Sequence, residues 1–182
     1  MRIITTPIPA IPDDFDGPDP KDVAEDLIKE CLCVDNKFQL PISLEMILMK
    51  MQLGYQSVFF SDDTDGIITK MDNRITIIPN AKLSRKKMRF VTALGIGTYM
   101  YNLKYNPDYC NDIDEKLNIE SFRVTDYNSQ RRWVVKFAQY LLMPQPCCFD
   151  LWAKDESIQA ISDYFIVPKF WVMCHFASQG LA

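Results

Sequence analysis

The sequence predicts an α+β fold, in which a small antiparallel β-sheet lies between N-terminal helices and a C-terminal helical bundle. Three observations support this prediction. Apolar residues recur at helical spacing before residue 52 and again after residue 84, three short β-branched segments lie between them, and the chain has 182 residues, the length of one domain. Hydrophobic residues make up 48% and charged residues 24%, which excludes a wholly disordered or collagen-like chain.

Residues 1–20 form a Pro-rich, acidic segment before the predicted domain, which spans residues 21–182. Five of the eleven prolines lie in this segment. Its acidic residues are Asp13, Asp14, Asp16 and Asp19. Because this composition buries little apolar surface, we predict an extended arm. It lies either across the domain or a neighbouring subunit, through Ile3, Ile4, Ile8 and Ile11, or it is a partly ordered tail.

Two helices are predicted after the arm. The first covers residues 22–32, where apolar residues recur every three or four positions and acidic residues occupy the first turn. The second begins after Ser43, a good N-cap residue, and ends before Gly54.

Residues 55–60, 66–70 and 74–78 are predicted to be the three strands of an antiparallel meander. The third is expected to be an edge strand. Ser84 then caps a helix that runs to about residue 102. Gly95 is expected inside this helix, packed against a helix around Trp133.

The rest of the chain is predicted to be mostly helical. Residues 103–126 are expected to be irregular, and an amphipathic helix is expected over residues 128–142, closed by Pro144. Two short helices over 156–164 and 168–178 complete the prediction.

Residues 77–101 read IIPNAKLSRKKMRFVTALGIGTYMY. This segment resembles the strand, basic turn and zinc-binding helix of the ImmA/IrrE family of metallopeptidase-like proteins, whose helix contains His-Glu-Leu-Gly-His. Alignment on Arg89 and Phe90 places the His-Glu-x-x-His positions on Leu94, Gly95 and Thr98. The zinc motif is therefore degenerate at all three chemical positions.

Further segments resemble the same family in the same order. LPISLEMILMKMQLGY (40–55) is similar to its Pro-led helix, KFAQYLLMP (136–144) to its Phe-Ala-x-x-Leu-Leu-Met-Pro signature, and YFIVPKFWVMCHFASQGL (164–181) to its C-terminal helix pair. The resemblance covers about residues 22–182 and implies a zincin-like fold.

The degenerate motif predicts that the chain holds no metal and needs no cofactor, with zinc expected in active relatives only. A catalytic zinc needs three side-chain ligands and an open fourth position. Leu94 cannot ligate zinc, and Gly95 cannot act as general base. Residues 130–136 also lack the carboxylate that the family uses as third ligand.

The resemblance therefore implies a catalytically inactive, peptidase-like regulatory protein of phage or mobile-element type that acts by binding a protein. Active relatives typically act on helix-turn-helix repressors, so such a repressor is the expected partner. The expected docking place lies between the third strand and the motif helix, because a peptide can add to a strand edge. The residues expected there are Arg74, Thr76, Ile78, Leu94, Thr98 and Trp133.

Two alternatives come from other functional classes. An active metal-dependent peptidase would use other ligands, such as Asp108, Asp112, Asp114 and Glu115. A DNA-binding regulator would use the basic cluster of Lys82, Arg85, Lys86, Lys87 and Arg89, with Arg131, Arg132 and Lys136 nearby. A solvated helix start is the favoured interpretation of this cluster.

The net charge of −4 argues against nonspecific binding of nucleic acid. No apolar run is long enough to span a membrane, and no secretory signal is recognisable, so we expect a cytoplasmic protein; a homo-oligomer is compatible with the sequence. The six cysteines are expected to be reduced thiols rather than metal ligands. His175, the single histidine, is expected to be structural because its neighbour Cys174 points elsewhere on the helix.

Overall fold

The computed structural model describes residues 17–35, 37–110, 112–117 and 129–181. Within them the fold is α+β, as the sequence predicts. Most of the predicted arm, residues 1–16, lies outside the described residues. The end of the arm is held against the domain, since the indole Nε1 of Trp133 donates a hydrogen bond to the carbonyl of Pro18 at 2.9 Å.

The two N-terminal helices begin at the side chains that cap them. Helix α1 spans Pro20–Leu32, and the carboxylate of Asp19 accepts a hydrogen bond from its first turn. Helix α2 spans Leu44–Lys50, and the Ser43 hydroxyl accepts from the amide of Met46. Both helices are confirmed.

Four strands form one sheet in the order β1-β3-β2-β4. They are β1 (Gly54–Tyr55), β2 (Gly66–Met71), β3 (Arg74–Pro79) and β4 (Asp114–Lys116). Strand β2 pairs antiparallel with β3 and β4, whereas β1 pairs parallel with β3. The sheet is therefore mixed, and the predicted three-stranded antiparallel meander is wrong in its first strand.

Strand β3 is an inner strand, so the prediction of an edge strand over residues 74–78 is also wrong. The cause is the connection between β1 and β2, which crosses the end of β3. Asn80 holds this crossing, because its amide donates to the carbonyl of Thr64 and its side-chain oxygen accepts from the amide of Phe60. These contacts join residues far apart in the sequence.

Among the described residues, six further helices and strand β4 follow β3. The helices are α3 (Arg85–Tyr105), α4 (Pro107–Cys110), α5 (Ser129–Leu142), α6 (Gln145–Ala153), α7 (Ile158–Phe165) and α8 (Lys169–Ser178), of which α4 precedes β4 and is a single turn. The N-cap of α3 is Ser84, as predicted.

The structure differs from the prediction in two places along this half. The segment expected to be irregular contains α4 and β4, and α6 was not predicted. Helix α6 has one buried residue, Cys148, so it carries no apolar stripe that periodicity could detect.

The core forms around α3, which packs against the sheet on one side and against α5 on another. Phe90 of α3 stacks on Trp171 of α8 with ring centroids 4.5 Å apart. Trp133 and Phe137 of α5 stack at 5.3 Å. All four rings are almost fully buried, so α3 is surrounded by the fold along its middle turns. Among the described helices, none has both the length and the apolar character needed to cross a lipid bilayer.

Candidate functional site

The positions aligned with the zinc motif lie inside the core. Leu94 is 0% exposed and Thr98 is 2% exposed, on the middle turns of α3. Their side chains therefore form part of the packing around this helix.

Gly95 makes the closest approach between α3 and the sheet. A Cβ atom built on Gly95 would lie 2.8 Å from Cγ2 of Ile77 and 3.0 Å from two further atoms of the same side chain. Such distances are too short for real carbon atoms, so the glycine lets β3 contact the helix directly. The expected docking place between the third strand and the motif helix is filled at this point.

Gly97 has the corresponding role towards α5. A Cβ atom there would lie 2.9 Å from Cδ1 of Phe137 and 3.3 Å from Cγ1 of Val134. The expectation that Gly95 packs against the helix around Trp133 is therefore corrected, because Gly95 faces the sheet and Gly97 faces α5.

Of the six residues expected to bind a partner, Arg74 is exposed and the other five are buried. The exposed fractions of these five are Thr76 8%, Ile78 4%, Leu94 0%, Thr98 2% and Trp133 1%. They support the fold, and a partner approaching the surface does not meet them.

An open cleft lies on another face of α3, between its first half, α2 and β1. Arg85, Arg89 and Thr92 line it from α3, because their spacing of four and three residues aligns them on one face. Successive helical residues are rotated by about 100°, so Leu94 points about 200° away from Thr92. Leu94 therefore faces away from the cleft, whereas Gly95, three residues after Thr92, lies further along the helix and is covered by Ile77.

The cleft has a volume of about 420 Å³ and an apolar floor. The apolar residues that line it are Leu44, Leu48, Met49, Leu53 and Met88. Leu48 and Leu53 are buried, whereas the Met49 side chain is 66% exposed at the mouth. The floor is thus continuous with the core and ends in a flexible apolar side chain at the surface.

The polar rim carries more positive than negative charge. Its polar residues are Glu45, Tyr55, Arg74, Arg85, Arg89 and Thr92. Three guanidinium groups therefore face one carboxylate, in a chain whose net charge is −4. We call this cleft the arginine cleft.

Arg89 lies deepest of the three arginines. Its Nη2 donates a hydrogen bond to the carbonyl of Ile42, while its Nε is buried without a hydrogen-bond partner. Burial lowers the pKa of Arg89 to about 10, and this effect is opposed by the attraction of Glu45. The guanidinium stays charged at neutral pH. Among the described residues, no carboxylate lies within ion-pair distance of it.

Arg74 shapes the mouth of the cleft. Its Nε donates to the carbonyl of Gln52 and its Nη2 to the carbonyl of Leu53, both at 2.7 Å. These bonds fix the turn that joins α2 to β1. The turn places Leu53 in the floor of the cleft. Across the cleft, burial raises the pKa of Tyr55, so its phenol remains protonated at neutral pH.

The basic cluster predicted as a DNA-binding surface does not form one patch. Lys82 donates to the carbonyl of Asp62 at 2.7 Å, and Lys86 pairs with Asp163 of α7 at 2.5 Å. Arg85 and Arg89 line the arginine cleft instead. The cluster is therefore divided between the β1–β2 connection, helix α7 and the arginine cleft, and Lys87 is exposed to solvent.

His175 and the cysteines around it belong to the core. His175 is fully buried, neither ring nitrogen makes a hydrogen bond of acceptable geometry, and its ring meets the edge of Tyr140 at 5.1 Å. Burial lowers the pKa of His175 to about 4, and a weak contact with the backbone of Met143 opposes this effect only in part. Burial likewise raises the pKa of Cys148 to about 12, so this thiol is not a nucleophile at neutral pH. The predicted structural role of His175 is confirmed.

The carboxylates proposed as alternative metal ligands lie at or after the C-terminal end of α3. Asp108 is on α4, and Asp114 and Glu115 are consecutive on β4, where neighbouring side chains point to opposite faces of the sheet. Asp112 lies in the turn between α4 and β4. In the part of the chain that the structure describes, no three His, Cys, Asp or Glu side chains are grouped so that they could hold a metal ion.

No protein-family model matches this chain, and no curated protein shows significant similarity. The resemblance to the ImmA/IrrE family therefore rests on the sequence segments quoted above and stays a prediction.

Sequence reasoning missed the cleft residues Glu45, Tyr55 and Thr92. A signal was present on α3, where Arg85, Arg89 and Thr92 recur at positions i, i+4 and i+7 and so share one face. The contributions of α2 and β1 carried no comparable pattern, because they meet α3 through the fold alone.

Proposed function

We propose that this chain is a catalytically inactive, peptidase-like regulatory protein that acts by binding another protein. Following the resemblance, the proposed partner is a helix-turn-helix repressor of phage or mobile-element type, and the proposed fold relationship is to zincin-like peptidases. The observation that carries the proposal is the separation of two sites on α3. The turns that carry the motif are packed into the core, while Arg85, Arg89 and Thr92 of its first half line an open cleft.

The motif face offers no chemistry for peptide hydrolysis. Metal-assisted hydrolysis needs a metal with an open position for water beside a general base. Leu94 and Gly95 supply neither group, and their surroundings are filled by Ile77 and other core side chains. A substrate would have to open the core to reach these positions.

The arginine cleft has the features of a binding site. Its volume lies in the range of about 300–1,000 Å³ that is usual for ligand pockets, and it combines an apolar floor with a few polar groups at the rim. Apolar contacts supply most of the free energy of protein association, while charges at the rim select the partner.

Site-specific photo-crosslinking in the native host tests the proposal. A photoreactive amino acid replaces Met49 at the mouth of the cleft, and a matched control carries it at Asp155, an exposed residue after α6. We expect Met49, and not Asp155, to crosslink to a repressor-type protein. Mixed with the purified chain, that protein should keep its intact mass.

Two outcomes contradict the proposal. Chelator-sensitive cleavage of the crosslinked protein would favour the active peptidase. Specific, salt-dependent binding of duplex DNA by the purified chain, without a protein crosslink, would favour the DNA-binding regulator.

A further inference from the structure

We infer that the arginine cleft recognises an acidic segment of the protein partner in which carboxylates lie next to a large apolar side chain. The inference rests on the proposed function and adds the chemistry of the bound segment.

Charge is the first argument. Arg85 is exposed and makes no ion pair or side-chain hydrogen bond with any described residue, so its guanidinium is available. Arg89 lies one helical turn further along the same face. A guanidinium pairs with a carboxylate through two parallel hydrogen bonds. The two arginines can therefore bind two carboxylates of a partner that are spaced like the arginines, or a single carboxylate placed between the two guanidinium groups.

The state of Arg89 is the second argument. A charged group taken out of water is unfavourable unless it is paired and hydrogen-bonded. Arg89 retains one buried N–H without a partner, and Glu45 is too distant for an ion pair. A carboxylate entering the cleft would supply the missing countercharge.

The apolar surface beside the arginines is the third argument. Met49 is 66% exposed and Tyr55 is 47% exposed, and both border the buried leucines of the floor. Their burial by a partner's apolar side chain would exclude water from the ion pairs and strengthen them. A nucleic-acid backbone offers charge but no side chain to cover this surface, so the pattern favours a peptide.

The chain's own acidic arm is anchored towards the other end of α3, which makes it a poorer occupant than a partner segment. Pro18 is held at Trp133, whose ring lies 5.7 Å from that of Tyr101 near the C-terminal end of α3. At 1.5 Å per residue, about 24 Å of helix separate Tyr101 from Arg85. Asp13 is the acidic residue of the arm furthest from Pro18, and an extended chain carries it at most about 18 Å.

A second copy of the chain is also a poor occupant. In a two-fold symmetric contact the same surface meets itself, so the arginines of one cleft would face those of the other. Glu45 alone would oppose them. Like charges brought together in this way destabilise the contact.

Peptide selection on the full-length chain tests the inference without assuming a partner. A random twelve-residue peptide library is displayed on phage, and the enriched peptides are synthesised and titrated by fluorescence anisotropy. We expect enriched peptides to combine Asp or Glu with Leu, Ile, Phe or Met, and to bind more weakly in 500 mM than in 50 mM salt.

Three variants at two cleft positions and one matched control define the binding place. Arg85→Gln should weaken binding of the enriched peptides about tenfold or more, and Arg85→Lys should restore part of it. Met49→Glu, at an exposed position, should weaken binding similarly by repelling the carboxylates. Lys87→Gln, an exposed position on another face of α3, should leave the affinity unchanged. Equal melting temperatures show that the variants are folded.

Several results would overturn the inference. These are enrichment of basic or neutral peptides, no enrichment, or equal affinity for the Arg85→Gln chain. A dimer mass in light scattering that Arg85→Gln returns to the monomer would assign the cleft to a second copy. Tighter peptide binding after replacement of Asp13, Asp14 and Asp16 by Asn would assign it to the arm. A protein crosslink at Met49 would leave the proposed function standing in each case.

Discussion

Acidification should destabilise the folded chain through His175. This residue is fully buried among apolar groups, and desolvation lowers its pKa from 6.5 to about 4. The unfolded chain therefore binds a proton at His175 between these two values and the folded chain does not. Stability from the neutral imidazole is fully present above pH 6.5 and is lost as the pH falls towards 4.

The size of this effect follows from the two pKa values. At 1.36 kcal/mol per pH unit, the complete difference corresponds to about 3 kcal/mol in the free energy of unfolding. Integrated from pH 7.5 to pH 5, the loss is about 2 kcal/mol. Domains of this size are stable by about 5–15 kcal/mol, so the change is large enough to measure.

Urea unfolding followed by tryptophan fluorescence at pH 7.5, 6 and 5 provides the assay, with His175→Phe as the matched variant. The imidazole makes no well-formed hydrogen bond, and the nearby backbone of Met143 gives at most a weak polar contact, so Phe removes little and keeps an aromatic ring against Tyr140. Carboxylates such as Asp62 and Asp163, whose pKa values are lowered by hydrogen bonds, titrate in both chains. Their contribution therefore cancels in the comparison.

We expect the wild-type chain to lose about 2 kcal/mol more than His175→Phe between pH 7.5 and pH 5. Equal losses in the two chains would refute the reasoning, because they would mean that His175 is protonated as easily in the folded state as in the unfolded state.

Three further predictions concern the motif face of α3 and the strand beside it. Protein purified without a metal-affinity tag should contain no stoichiometric zinc, because Leu94 and Thr98 are core side chains; one zinc per chain by elemental analysis would contradict this. Gly95→Glu should lower the free energy of unfolding by roughly 1–3 kcal/mol, and Gly95→Ala by less, because a side chain collides with Ile77; an unchanged urea midpoint would argue against that contact. Thr76→Pro should destabilise the whole domain by about 1–3 kcal/mol, since β3 pairs on both sides, and selective loss of binding with unchanged melting temperature would restore the edge-strand interpretation.

The local elements of this fold were determined by the sequence. Ser43 and Ser84 predict the starts of α2 and α3, because a hydroxyl before an apolar periodic segment accepts a hydrogen bond from a free amide of the first turn. The apolar stripe of α5 predicts its buried face, since Trp133 and Phe137 recur at helical spacing. These features depend on residues within a few positions of one another, and one sequence contains that information.

The tertiary structure alone decided where the surfaces of α3 lie. From Phe90 to Thr98 every residue of the helix is buried, so periodicity specifies no outer face and does not show which neighbour each glycine meets. The crossing held by Asn80 puts β1 beside β3, which makes β3 an inner strand and brings Tyr55 to the arginine cleft. Such placements depend on contacts between residues distant in the chain, because packing of whole elements, and not local propensity, sets them.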